Sequence, residues 1–313
     1  MKIYLLSCQK PSAEGGIYTF DLNGAGELKK EGYYKCDRPM YAVKCERGLC
    51  VILREPFENR TESGYFFIDE DLKNASEIKD TGGEVACHLS VIDEDVYIAN
   101  YKSGSVSKNG KVSLELVGNG IHPIRQTSPH AHFVGVTPDG YTAVCDLGTD
   151  ALTILNKDFS RVSESKVPSG YGIRHIVFSK DGKFIYAVNE LVPSISVFSY
   201  KSGEVKILST QNIDCKEKTA NGGAIRISDD GKYIYVSVRD ENVICVYETD
   251  GEKLTLLQMA DCGGNGPRDF KLFNNCLVVC NQKSGEVISY RLKGGIIKEQ
   301  VSVYRLGEAL CVI

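Results

Sequence analysis

A motif recurs along this chain at intervals of 43 to 50 residues, and that recurrence restricts the fold more than any other feature. Three copies are clear: PHAHFVGVTPDGYTAVCDLGTDALTIL, IRHIVFSKDGKFIYAVNELVPSISVFSY and GAIRISDDGKYIYVSVRDENVICVYETDG. Each contains a short apolar strand, an Asp-Gly turn (Asp139-Gly140, Asp181-Gly182, Asp230-Gly231), a second apolar strand, a polar corner and a third strand. Asp-Gly between β-rich runs is a hairpin signal, because glycine takes a positive φ without steric penalty. Weaker copies lie on both sides: MYAVKCERGLCVILRE, CHLSVIDEDVYIANYKSGSV and PRDFKLFNNCLVVCNQKSGEVISY. Met40, Cys87, Ala131, Arg174, Ala224 and Arg268 then serve as equivalent positions.

A unit of this size matches one four-stranded propeller blade. The six internal units leave MKIYLLSCQ and GGIYTFDLNGAGELKKEGYY at one end, which supply outer strands, and EALCVI at the other, which supplies a lone strand. Joined, these ends complete a seventh blade without leaving a free sheet edge. The expectation is therefore an all-β, seven-bladed β-propeller, one domain over residues 1–313, closed by pairing of the N- and C-terminal strands. KFIYAVN and KYIYVSV are largely apolar on both alternating faces, as strands covered by neighbouring blades should be.

Strand direction alternates outward from the innermost strand A of a blade, so the start of A and the end of B share a rim. That rim receives His130 and His132, Arg174 with His175, Arg226 a little deeper, and Arg268 with Asp269 from the A strands. From the B strands it receives Asn100, Asp146, Asn189 with Glu190, Arg239 with Asp240, and Asn281 with Gln282. The Asp-Gly turns fall on the opposite face. Strand ends gathered on one face of a rigid scaffold are where sites usually lie.

The chemistry on this rim is acid–base and anion-binding. Histidine is mostly neutral near pH 7 and can accept a proton. Two-residue spacing sends His130 and His132 to one side of an extended strand. Arginine recognises carboxylate and phosphate through a planar fork, and Arg125, Arg174, Arg239 and Arg268 come from different blades or their approaches. Glu190 can orient a base, move a proton or pair with Arg174. His88 and His122 read as structural. Asp146 and Asp150 flank Leu147-Gly148-Thr149, which also reads as a turn. Arg125, His130, Asp146, Arg268 and Gln282 form the candidate substrate contacts.

Composition removes other classes. The net charge of -4 is spread without a basic block, so nucleic acid is not an expected partner. No run of about 18 apolar residues exists for a membrane span, and MKIYLLSCQKPSAEGG lacks the form of a secretory signal, so a cytoplasmic location is expected. The 12 cysteines show no CxxC pair or zinc-like spacing, and Cys50, Cys145, Cys245 and Cys280 sit in apolar runs as reduced thiols. No metal or cofactor is called for, and a monomer or weak dimer is expected. A propeller serving only as an interaction platform is the rival. The chain has no tryptophan, hence no Trp-Asp signature, and a platform does not need a His/Arg/Glu rim.

The segments RQTSPHAH (Arg125 to His132), PDGYTAVCDLGTD, IRHIVFSKDGKFIYAVNEL, DDGKYIYVSVRDENVI, GPRDFKL and CNQKSGEVISY resemble the seven-bladed propeller lactonase family, which includes bacterial 6-phosphogluconolactonases. The same architecture houses a fungal carboxymuconate lactonising enzyme with a metal-free site of one histidine, two arginines and one glutamate. Carried over by position, these fall on His132, Arg174, Arg239 and Glu190. The chain departs from the family pattern in reading GIRH rather than GPRH, and in having Val238 rather than asparagine before Arg239. The resemblance implies a lactone hydrolase acting on a small anionic sugar lactone, 6-phosphoglucono-1,5-lactone first among them. His132 would be general base, Arg174 and Arg239 oxyanion stabilisers, and Glu190 an orienting group. A cycloisomerase or a lactonase for another sugar acid or a muconate-type substrate is the alternative.

Overall fold

The computed structural model describes residues 1–313 as 28 strands in seven four-stranded antiparallel sheets, with one turn of 3-10 helix at Pro11–Ala13. The strands, numbered in chain order, form a seven-bladed propeller. Blade 1 is assembled from both ends of the chain, in the order β28 (Ala309–Val312), β1 (Lys2–Ser7), β2 (Gly16–Leu22) and β3 (Leu28–Lys35). Leu5 pairs with Val312 and Leu6 with Cys311, and Tyr4 and Ile313 exchange backbone hydrogen bonds, so the two termini close the ring. No helix is long and apolar enough to cross a membrane.

The innermost two strands of the other blades are β4 (Pro39–Cys45) and β5 (Gly48–Leu53), β8 (Ala86–Ile92) and β9 (Asp95–Asn100), and β12 (Ala131–Val136) and β13 (Thr142–Asp146). They continue with β16 (Ile173–Phe178) and β17 (Phe184–Asn189), β20 (Asn221–Ile227) and β21 (Tyr233–Arg239), and β24 (Pro267–Phe273) and β25 (Cys276–Asn281).

Apolar clusters lie between successive blades. Tyr186, Val188 and Ile195 of blade 5 pack with Ile234, Val236 and Tyr247 of blade 6, all essentially inaccessible. Each such side chain removed from water stabilises by about 1.5–3 kcal/mol, which explains why both faces of these strands are apolar. On the rim away from the site, Thr137, Ser179 and Ser228 donate their hydroxyls to Asp139, Asp181 and Asp230. Gly140, Gly182 and Gly231 take φ values of 90°, 70° and 76° there, which is why the turns read Ser/Thr-x-Asp-Gly.

Every innermost strand carries a register shift near its start, an arrangement in which two residues oppose one on strand B. The interruptions fall between Pro39 and Tyr41, Ala86 and His88, Ala131 and Phe133, Ile173 and His175, Gly222 and Ile225, and Pro267 and Asp269, with Leu310 skipped in blade 1. The residues left out of the ladders are Leu310, Met40, Cys87, His132, Arg174, Gly223 with Ala224, and Arg268. One of the six positions equated from sequence was thus one residue off: the counterpart is His132 rather than Ala131, while in blade 6 Ala224 shares the bulge with Gly223.

Candidate active site

The bulges build the floor of the site. Leu310, Met40, Cys87, His132 and Arg268 line a cavity of about 830 Å³ at the mouth of the central channel, and Arg174 lines a pit of about 20 Å³ directly below it. A second ring stands around the first. Its members are the residues that follow the B-strand partner of each bulge: Cys8, Arg54, Tyr101, Leu147, Glu190, Arg239 and Gln282. All except Leu147 face the same cavity. The floor is apolar under blades 1 to 3 (Leu310, Met40, Cys87) and charged or polar under blades 4, 5 and 7.

Glu190 is the hub of the polar half. Its Oε2 accepts from Arg174 Nε at 2.9 Å and lies 3.1 Å from Arg239 Nη2, and its Oε1 accepts from Arg125 Nη2. His132 Nε2 lies 3.7 Å from Oε2. Glu190 and Arg174 are each only 3% exposed, which is where ion pairing is least screened. Burial alone would raise the Glu190 pKa, but Arg239 and Arg174 outweigh it and hold the carboxyl well below its usual range. Three guanidinium groups against one carboxylate leave a net positive site. Arg239 Nε is buried without a partner, and Arg268 donates to no protein acceptor. Burial and the charge of Arg268 disfavour the cation at Arg174, so an incoming anion would relieve this crowding.

His132 is buried and neutral. Burial first, and then the positive charge of Arg174, push its pKa well below 6.5, while Glu190 opposes them. Its Nδ1 is 3.8 Å from Cys87 Sγ. Arg174 is steadied from behind, since its Nη1 donates to Gly223 O at 2.8 Å and lies 3.1 Å from His175 Nδ1. The carbonyl comes from the one bulge position that has no side chain. A Cβ there would lie 2.3 Å from Ser237 Oγ and 2.9 Å from Pro267 O.

Arg125 reaches Glu190 from the segment preceding β12. His122 Nδ1 accepts from the amides of Ile124 and Arg125, and Gln126 donates to Leu147 O and Asp150 Oδ1, so the segment is pinned to blade 4. Arg125 also donates to Tyr101 Oη at 3.1 Å. His122 therefore has the structural place expected of it, as has His88, which lies between the rings of Tyr41 and Phe133 at 4.5 Å from each.

Two candidate contacts stand off the cavity wall. Asp146 is buried, and its carboxylate accepts from the amides of His130 and Gly148 and from Thr149 Oγ1, all within blade 4's corner. It shapes the turn and does not line the cavity. His130 stacks on Tyr101 at 4.4 Å, with Nδ1 3.0 Å from Tyr101 O. Both histidine rings pack against Tyr101, His132 edge-on at 5.5 Å, but only His132, inside β12, lines the cavity. Gln282 and Arg268 do line the cavity, Gln282 donating to Glu308 Oε2 at 3.0 Å.

Tyr101, Cys8, Arg54, Met40, Cys87 and Lys10 line the cavity but were not singled out from sequence as site residues. The signal that would have found most of them is position: Tyr101, Cys8 and Arg54 occupy the place of Glu190 in their own blades. Arg226, expected a little deeper than the rim, pairs with Asp269.

The family of seven-bladed β-propeller lactonases matches residues 2–313. An uncharacterised protein of Lactococcus lactis is 30% identical over 88% of this chain and 87% of its own length. A Lactobacillus plantarum protein of known structure superposes with a TM-score of 0.90 at 27% identity, covering 99% of this chain and 98% of the other. A Bacteroides fragilis protein, named as a candidate 6-phosphogluconolactonase, gives a TM-score of 0.88 at 25% identity over 100% of this chain and 97% of the other. The repeat, the closed ring and the match over nearly its whole length place this chain in the seven-bladed β-propeller lactonase family.

Proposed function

We propose that this protein hydrolyses a sugar lactone, and that 6-phosphoglucono-1,5-lactone is its substrate. The carrying observation is the convergence of Arg125, Arg174 and Arg239 on Glu190, beside a neutral His132 and an uncommitted Arg268, in one cavity. Family membership and the name given to the B. fragilis neighbour support the same reading.

In this mechanism water attacks the lactone carbonyl carbon while neutral His132 takes the proton, a contribution of typically about 10²- to 10⁴-fold. The imidazolium so formed is balanced by Glu190, 3.7 Å from Nε2. Negative charge appears on the carbonyl oxygen, where guanidinium donors of Arg174 and Arg239 stabilise it, usually the largest single effect in acyl transfer. Collapse of the tetrahedral adduct breaks the ring C–O bond, and the proton held by His132 passes to the departing alkoxide. The product is the open-chain sugar acid.

The test uses purified full-length protein, chelator and freshly generated lactone. Hydrolysis above the spontaneous rate is expected, with most of the excess lost in His132→Ala. A wild-type rate equal to the uncatalysed one would overturn the substrate assignment.

A further inference from the structure

The two rings give the cavity an internal geometry. In a ring of seven, blade 2 stands across the channel from the junction of blades 5 and 6. Arg54, the second-ring residue of blade 2, therefore faces Glu190 and Arg239 across the mouth, and all three line one cavity. On the Arg54 side the floor is Leu310, Met40 and Cys87, with no charge.

Arg54 is also free to bind. The acid next to it, Glu55, is held by Arg38, which donates to Glu55 Oε2 at 3.0 Å and to Glu55 O at 3.2 Å. Arg54 Nε stays 3.8 Å from Glu55 Oε1, beyond hydrogen-bond reach, and its side chain is about half exposed. Lys10, on the loop after β1, lines the same side of the cavity and makes no ion pair. Arg38 stands at the same wall, its own charge taken up by Asp37 and Glu55.

We propose that Arg54, assisted by Lys10, forms a second anion pole that binds a phosphoryl group at the end of the substrate opposite its reacting carbonyl, making Arg54 the residue that selects phosphorylated lactones. This rests on the lactonase reading for the orientation of the substrate. The carbonyl lies at the Glu190 pole, the sugar carbons leave it across the uncharged part of the floor, and the remote phosphoryl meets the planar fork of Arg54. A hexonolactone phosphorylated at the carbon farthest from its carbonyl has this bipolar form.

The experiment is calorimetric titration of full-length wild type and Arg54→Gln with 6-phosphogluconate and with gluconate. Wild type should prefer the phosphorylated acid by about 10-fold or more, as one charge-assisted contact provides, and Arg54→Gln should reduce that ratio toward one. Arg54→Lys should restore part of it. A ratio retained in full by Arg54→Gln, equal binding of both acids by wild type, or binding of neither overturns the proposal. The lactonase reading is tested apart, by turnover: an Arg54-dependent ratio without turnover sinks that reading and keeps the pole, whereas turnover without the ratio does the reverse.

Discussion

Arg174 and Glu190 meet at 2.9 Å with neither side chain more than 3% exposed, one projecting from a bulge in strand A of blade 5 and the other from the end of strand B in the same blade. Their union is local, but the charge they share is not, because Arg239 from blade 6 and Arg125 from the blade 4 approach use the same carboxylate. Removing the carboxylate leaves three cations facing one another without an anion. Glu190→Gln should lower unfolding stability by about 3–5 kcal/mol, the usual effect of breaking a buried pair from one side. Chemical denaturation checks this, and an unchanged midpoint would show that solvent already neutralises the arginines. Because the Glu190 pKa is depressed on folding, its contribution is present above the unfolded value of about 4.5 and is lost as pH falls through the folded value.

Arg268 is the opposite case. It has no protein acceptor and disfavours the cations at Arg174 and Arg239, so Arg268→Gln should leave stability unchanged or slightly raised. The same substitution should weaken binding of a sugar acid by about 10- to 100-fold, the equivalent of one charged hydrogen bond. A marked fall in melting temperature would show that Arg268 has a structural role instead.

The number of blades, the closure of the ring and the rim holding the polar residues were all legible in the chain, because each follows from the repeat and from strand alternation. The bulge was not. His132 and Arg174 look like ordinary strand positions in sequence, and only the ladder shows that each is the residue left out of register and turned to the channel. For Asp146 the turn reading and the ligand reading stay level in sequence, because a carboxylate that accepts two amides and a hydroxyl looks there like one awaiting a ligand. Arg54 and Tyr101 escaped notice because the early blades diverge from the repeat, although their position after strand B is that of Glu190.

Gly223 tests the bulge directly. Its missing side chain admits Ser237 Oγ and lets its carbonyl accept from Arg174. Gly223→Ala should destabilise by about 1–3 kcal/mol through overpacking and should lower kcat through displacement of Arg174. Full activity with normal stability would mean that the carbonyl does not position the guanidinium.

Three buried histidines bind protons in the unfolded chain that they refuse in the folded one. Burial, reinforced by Arg174, pushes His132 and His175 well below 6.5, and burial with Arg226 and Arg174 pushes His88 down to about 3. Between the folded and unfolded values the unfolded state holds more protons, so stability rises with pH and is lost as pH falls below about 6.5. With all three contributing, the slope should approach about 4 kcal/mol per pH unit near pH 5. Unfolding free energies from urea titrations between pH 5 and 7.5 measure it. His88→Phe, which preserves the ring between Tyr41 and Phe133, should remove about one third of the slope, while leaving the acid limb of lactone hydrolysis to His132. Because His132 is neutral well below pH 6.5, kcat/KM should remain flat from pH 6 to 8. A catalytic pKa near 6.5 would mean that the base is exposed to solvent during turnover and is not the buried imidazole.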